Sequence, residues 1–165
     1  MAISKPEALK GFHNTISAMG KKSINSDAYF EVEGHTDIAV LCKQFPWPVL
    51  GPSGEIEQPG PMGSLSAIPA QLKTYQQGPV TMSETQSGRI MRFMEDVVAG
   101  GGQFQAKVYE GTPQAFTRGY RLVDCFFVPD NPDRDWENRT QITQISGTLH
   151  FHYFADKLVG NVATL

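Results

Sequence analysis

The sequence predicts a mainly β domain of the α+β class with one helix, built as an antiparallel β-sandwich or barrel-like sheet. Residues 144–153 alternate between polar and apolar side chains, the pattern of a strand with one buried face. Gly (16) and Pro (11) are plentiful while charged residues make up only 19%, a composition that favours strands and turns. Only residues 84–99 keep a strong helical period. With 165 residues and 40% hydrophobic content, we expect one domain.

The closing strand defines the two faces of the predicted sheet. Leu149, Phe151 and Tyr153 share one parity, and we expect them to pack beneath the helix. The opposite parity is polar and is expected to face solvent or an enclosed aqueous space; it comprises Gln144, Ser146, Thr148, His150 and His152.

The first part of the chain is predicted to contain an arm and a hairpin. Residues 1–26 space Leu9, Phe12, Ile16 and Met19 in a helical pattern, but glycines and small polar residues favour a mobile arm, or one that is ordered only against a neighbour. Residues 28–33 and 36–44 are then typical of two strands around a tight turn at Gly34.

A long loop is predicted at residues 45–63, where five prolines and four glycines exclude the centre of a sheet. Loops of this length in compact domains are usually functional or disordered. Its large apolar side chains indicate docking on an adjacent subunit or another partner, the alternative being that they cover their own sheet. The candidate inter-subunit contacts are Phe45, Trp47, Leu50 and Ile56.

The second half of the chain supplies the helix and the long strands. Residues 68–82 are predicted to form strand interrupted at Gly78, and the helix, at 83–99, has Ser83 as its N-cap and Gln86 as capping-box partner. An apolar stripe on that helix, headed by Ile90 and Met91, should cover the sheet. Strands follow at 103–110 and 115–128, and residues 156–165 are predicted to be an unpatterned tail.

Catalytic and cofactor chemistry is not indicated. His150 and His152 could both reach one metal ion, but metal sites generally need at least three protein ligands and no third is spaced to help. Cys42 and Cys125 lie in apolar runs without zinc spacing, and neither a nucleophile elbow nor a phosphate-binding loop is present. We therefore predict no catalytic residue, no cofactor and no bound metal.

Net charge and hydropathy exclude further classes. The formal net charge is −3, which does not favour a nucleic-acid-binding surface. No apolar run approaches the ~20 residues of a transmembrane helix, and the first residues do not resemble a signal peptide. We expect a soluble protein made in a reducing cytoplasm, without a membrane partner.

Element order and three stretches carry a family resemblance. They are QFPWPVLGPSGEIEQPGPMG at 44–63, QQGPVTMSETQSGRIMRFMEDVV at 76–98 before a glycine run, and GTLHFHYF at 147–154. Together they resemble the tail tube proteins of contractile-tailed bacteriophages, which are related to the tube proteins of type VI secretion and R-type tailocins.

The resemblance implies a virion structural protein rather than an enzyme. It implies hexameric rings whose sheets join into one inner β-barrel with the helix outside, stacked through loops and arms around a lumen that conducts DNA. It also implies tail sheath and baseplate proteins as partners, and the virion tail as location. The polar parity of residues 144–152 would then be a candidate lumen face.

Three other interpretations stay open at this stage. One is a baseplate or tube-end homologue, which would have much the same sequence texture. A second is a small cupin-like β-barrel enzyme that binds a metal or ligand through His150 and His152. A third is a module that uses the long loop to bind some other protein.

Overall fold

The structure is a computed structural model that describes residues 5–162. Two helices lie within that range, α1 (Pro6–Ala18) and α2 (Arg89–Ala99), with 3₁₀ turns at Thr36–Val40 and Pro61–Gly63. The strands of the same range are β1 (Tyr29–Val32), β2 (Cys42–Gln44), β3 (Glu55–Pro59), β4 (Leu65–Pro69), β5 (Tyr75–Ser83), β6 (Phe104–Thr112), β7 (Ala115–Pro129), β8 (Gln144–His152) and β9 (Lys157–Val159).

Seven of these strands form one antiparallel sheet in the order β1-β6-β7-β8-β5-β2, with β9 paired to β7 beside β8. Strands β3 and β4 pair only with each other. The predicted mainly β, α+β class is confirmed, with two helices rather than one. The sheet of a single chain stays open and does not close into a barrel.

Strand β7 divides the sheet into two halves. A bulge interrupts its pairing with β8 between Val123 and Phe126, and Asp124 there has a positive φ of 49°. The Gln105 side chain donates to Asp124 Oδ1 at 3.0 Å and accepts from the Asp124 N–H at 3.2 Å, which fixes the bulge. Because bulges bend and twist a strand, β7 joins a β6 half (β1, β6, β9) to a β8 half (β8, β5, β2).

The core lies on one face of this sheet. Ile145, Leu149, Phe151 and Tyr153 are all buried there, at 2% exposure or less. They share one apolar cluster with buried residues of the neighbouring strands, of the 3₁₀ turn and of α2, among them Phe30, Val32, Ile38, Val80, Met82, Ile90, Phe93, Ala106, Val108 and Leu122.

Helix α2 begins later than predicted, at Arg89 instead of Ser83, and a glutamate caps it. Gly88 is the N-cap residue, in the left-handed conformation, without a side-chain cap bond of its own. The Glu84 carboxylate accepts the backbone N–H groups of Ile90 and Met91, both at 3.0 Å, and so satisfies donors that the first turn leaves free. The buried face of α2 also differs from the predicted apolar stripe, because Phe93 is buried whereas Met91 is 47% exposed.

The predicted hairpin at residues 28–44 does not form. Strand β1 pairs with β6 and β2 pairs with β5, so the two lie at opposite ends of the sheet. Residues Thr36–Val40 form a 3₁₀ turn that buries Ile38 against α2, where His35 meets Phe93 edge-on at 5.0 Å. Tertiary packing therefore overrides the β propensity of this stretch.

Other boundaries also differ from prediction. The 1–26 arm contains a 13-residue helix, α1, none of whose residues is buried. Strand β5 runs unbroken through Gly78 and Pro79, since β8 pairs with it along nine positions. Part of the predicted tail, Lys157–Val159, forms β9 on the edge of β7. No helix within residues 5–162 is long and apolar enough to cross a membrane.

Candidate assembly surfaces

The second half of the predicted 45–63 loop contains the first strand of an exposed β-hairpin. Glu55–Pro59 pairs with Leu65–Pro69, and every residue of both strands is exposed. Ile56 and Ile68 lie directly opposite each other on one face, at 51% and 53% exposure. A two-stranded hairpin without a supporting layer is marginally stable in water. The described part of the chain leaves this apolar face uncovered.

A short ladder joins this hairpin to the body of the protein. The Ala70 N–H donates to Gly54 O at 2.8 Å, and the Ser53 N–H donates to Gln71 O at 2.7 Å. The Lys73 N–H donates to Gly51 O at 2.9 Å. The hairpin therefore stands on a defined stem and is not a disordered insertion.

The predicted contact residues of the loop separate into two groups. Phe45 is half-buried against the core and stacks on Phe30 with ring centroids 5.6 Å apart, so its apolar area is used within the subunit. Trp47 is 36% exposed, meets Tyr120 edge-on at 5.6 Å, and borders a shallow groove of about 320 Å³. Leu50 is 54% exposed.

The segment around Trp47 is held against β5 by one side chain. Gln76, only 8% exposed, donates to Val49 O at 2.7 Å and accepts from the Val49 N–H at 3.1 Å. Pro46 packs directly on Gly78, where an added Cβ would lie 2.3 Å from the Pro46 Cβ. The aromatic anchor candidate is therefore presented by a rigid segment.

The polar parity of β8 lies on the face of the β8 half that is opposite to the core. Gln144 and Ser146 are exposed, whereas Thr148, His150 and His152 are half-buried among their cross-strand neighbours. Outward positions of β5 and β7 adjoin them, at Tyr75, Gln77, Pro79, Thr81, Ser83, Phe126 and Val128. All of these side chains are uncharged or histidine.

The corresponding face of the β6 half differs in charge. Glu31, Lys107 and Arg121 are cross-strand neighbours there. Tyr109 donates to Glu31 at 2.9 Å, and burial together with this hydrogen bond raises the pKa of Tyr109 to about 12. The two halves thus present chemically distinct outer surfaces.

The two histidines of β8 are occupied by aromatic stacking. His150 lies parallel to Phe126 at 4.7 Å and bonds to the Tyr75 hydroxyl through Nδ1. His152 stacks on Phe154 at 6.4 Å, and its Nδ1 lies 3.3 Å from Val123 O. Between residues 5 and 162, no three His, Cys, Asp or Glu side chains are grouped so that they could hold a metal ion.

The sequence predicted an N-terminal arm that is mobile or ordered only against a neighbour, and in the structure this arm contains helix α1. Leu9, Phe12, Ile16 and Met19 share one face of α1 and are 54–70% exposed. This spacing is that of a helix face that packs on something, yet α1 buries none of its residues in its own chain.

Glu110 anchors the segment that leads from α1 into the sheet. The Ser23 hydroxyl and the Arg118 guanidinium both donate hydrogen bonds to the Glu110 carboxylate. The Ser23 bond is the largest cause that lowers the pKa of Glu110, the Arg118 bond and charge add to it, and together they outweigh burial, which acts to raise the pKa. The body of the protein therefore fixes the chain at Ser23, just after α1.

Comparisons with known proteins agree on the fold. No protein-family model matches the sequence, and no curated protein matches it. A chain of the sheath–tube complex of an extracellular contractile injection system (PVC) in the extended state is similar with a TM-score of 0.56 and 10% identity, over 87% of this chain and 95% of that one.

Two tube-end structures are similar to the same extent. A chain of the sheath/tube terminator of the PVC system gives a TM-score of 0.55 at 10% identity, over 84% of this chain and 98% of that one. A chain of the anti-feeding prophage tube-terminating cap gives 0.53 at 10% identity, over 81% and 89%. The chain therefore has the fold of structural, tube-type components of contractile injection systems, as the resemblance in its sequence predicted.

Proposed function

We propose that this chain is a tube subunit of a contractile tail, forming hexameric rings that stack around a lumen. The observation that carries the proposal is that its fold matches tube-type chains over nearly their whole length, while its own sheet ends in two open strands. Strands β1 and β2 each have a single pairing partner within the described chain.

Ring closure follows from these open edges. An exposed strand edge pairs readily with another chain, and joining the sheets of successive copies around a ring removes every edge. The β1 end and the β2 end of the sheet are different surfaces, so contact between them is head-to-tail, the type that closes into rings.

We propose the face of the β8 half that is opposite to the core as the lumen wall. Polyanionic DNA binds to lysine and arginine by releasing counterions. A lumen wall through which DNA moves should therefore present few of these side chains. The outward positions from Gln144 to His152 and those of β5 include no lysine or arginine. This surface suits the passage of DNA without retention.

Axial stacking is assigned to the β3–β4 hairpin and the segment before it. Trp47, Leu50 and Ile56 are the proposed contacts with the adjacent ring, since aromatic and large apolar side chains dominate interface energetics. Phe45 is left out because it packs within its own subunit. Sheath and baseplate proteins are the partners expected on the outside, in a virion tail.

Imaging of the purified chain tests this function. Negative-stain micrographs should show rings or tubes, and native mass spectrometry should show multiples of six chains. A strictly monomeric protein over the micromolar range would contradict the proposal.

Removing the hairpin tests the stacking step separately. Replacing residues 55–69 by Asn-Gly, which forms a two-residue hairpin turn, keeps the stem, because Gly54 and Ala70 can retain the backbone hydrogen bond that joins them at 2.8 Å. We expect an unchanged circular dichroism melt together with rings that no longer stack. Normal tubes formed by the folded deletion variant would place the stacking contact elsewhere.

A second candidate function is a tube-end protein, favoured by the likeness to the two terminator structures. The same imaging separates the two. A tube-body subunit elongates into tubes on its own, whereas an end protein stops at single rings and joins tubes only at their tips.

A metal-binding enzyme that uses His150 and His152 is the remaining alternative. Elemental analysis of purified protein would support it by showing about one transition-metal ion per chain, lost in a His150→Ala, His152→Ala variant. We expect no such stoichiometric metal, because both rings are engaged in stacking and hydrogen bonds.

A further inference from the structure

We propose that helix α1 of one copy packs lengthwise on the Ile56–Ile68 face of the β3–β4 hairpin of a neighbouring copy. The proposal rests on the assembly proposed above and names the surface on which the hairpin docks. It also gives α1 a role in holding subunits together.

Both elements lack support in their own chain. Isolated helices shorter than ~12–15 residues are marginal in water, and α1 has 13 residues with none buried. The β3–β4 hairpin also lacks stabilising burial, because all ten of its strand residues are exposed. Since each element is exposed, they are not packed on each other within one chain, and a second copy must supply the contact.

The two surfaces match in chemistry and in length. The α1 stripe presents Leu9, Phe12, Ile16 and Met19, and the hairpin presents Ile56 beside Ile68, all more than half exposed. A 13-residue helix is ~20 Å long. A five-residue strand is ~17 Å long. The stripe can therefore cover the whole hairpin.

Charges on the two segments are complementary. Residues 5–22 contain four lysines and one glutamate, with Lys5 one turn before Leu9 on the apolar face. Residues 51–72 contain Glu55 and Glu57 and no basic residue. Opposite charges around an apolar contact steer association and disfavour pairing of like with like. Two hairpins, which carry only acidic charges, would repel each other.

Disulfide trapping tests the contact. We would mix the single variants Phe12→Cys and Ile68→Cys in assembled protein and oxidise them briefly. The native thiols contribute little background, because burial raises the pKa of both Cys42 and Cys125 to about 12 and thiolate is the reacting form. We expect covalent dimers that contain one chain of each variant.

The matched control moves the cysteine to the far face of α1. Asn14 lies on the side opposite to the apolar stripe, so Asn14→Cys mixed with Ile68→Cys should give at least tenfold less dimer. Where Phe12→Cys prevents assembly, Ile16→Cys on the same face replaces it.

Two results would overturn the inference. One is equal trapping from both faces of α1. The other is a doubly substituted chain that closes an internal disulfide while the mixed variants give no dimer. Tubes that form without any trapping would also reject the α1 contact yet leave the tube function standing, whereas a monomeric parent protein would reject both.

Discussion

Two adjacent residues of β8 should differ sharply in their effect on stability. Phe151 is 1% exposed in the core, and its neighbour His152 lies half-buried on the opposite face of the sheet. A phenylalanine buries at least ~150 Å², and at ~25 cal/mol per Å² this burial contributes about 4 kcal/mol. The Phe151→Ala variant should therefore lose about 3–5 kcal/mol of unfolding free energy.

The His152→Ala variant is the matched control in the same strand. Its side chain has one long hydrogen bond to Val123 O, at 3.3 Å, and loose stacking on Phe154. Its removal should cost about 1 kcal/mol. Urea titrations followed by circular dichroism, on dissociated chains, give both values. Losses of equal size from the two variants would refute the assignment of inner and outer faces.

Three further predictions concern local contacts. Glu84→Gln should cost about 1 kcal/mol at neutral pH, as other lost helix caps do. Burial raises the pKa of the Glu84 carboxyl, but hydrogen bonds donated by the α2 backbone outweigh this effect and leave the pKa lowered. The difference in unfolding free energy from the parent protein should therefore shrink as pH falls through that pKa, and a pH-independent difference would contradict the cap. Gly147→Ala should cost about 1–3 kcal/mol, because the new Cβ would lie 2.2 Å from Val128 O. The control variant Gly54→Ala places its Cβ where nothing lies within 4 Å. Equal melting temperatures for the two variants would show that β7 and β8 can move apart to accommodate the added methyl group. Cys125 should react with iodoacetamide at pH 8 roughly a thousandfold more slowly than an unfolded-state thiol, since burial and the charge of Asp124 raise its pKa to about 12. The labelling rate is measured by mass spectrometry. Labelling of Cys125 at the unfolded-state rate would be inconsistent with that burial.

Strand positions were predictable where one face is buried. In β8 the alternation around Leu149 is dictated by the period of two along a strand, and the same signal located β6 and β7. The apolar residues of α2 likewise identified it as a helix. These elements are specified by their own residues, and a neighbour only has to cover the apolar face.

Helix ends and partners were not predictable in the same way. Ser83 and Gln86 fit a capping box, but the Glu84 carboxylate reaches across the turn to the N–H groups of Ile90 and Met91. That reach depends on how the end of β5 approaches α2, which no local spacing encodes. The residues around Ile38 are similar, since their strand-like composition gave way to a turn that fits against Phe93.

What the sequence determined by itself was the class of fold, the long strands and the presence of a long Pro/Gly-rich segment between them. Only the tertiary structure decided that this segment is a hairpin pairing Ile56 with Ile68, that Phe45 is used inside the subunit, and that α1 is a helix with an uncovered stripe. The physical reason is the range of the interactions. Periodicity and turn chemistry act over a few residues, whereas strand pairing and the burial of a ring depend on residues brought together from distant parts of the chain.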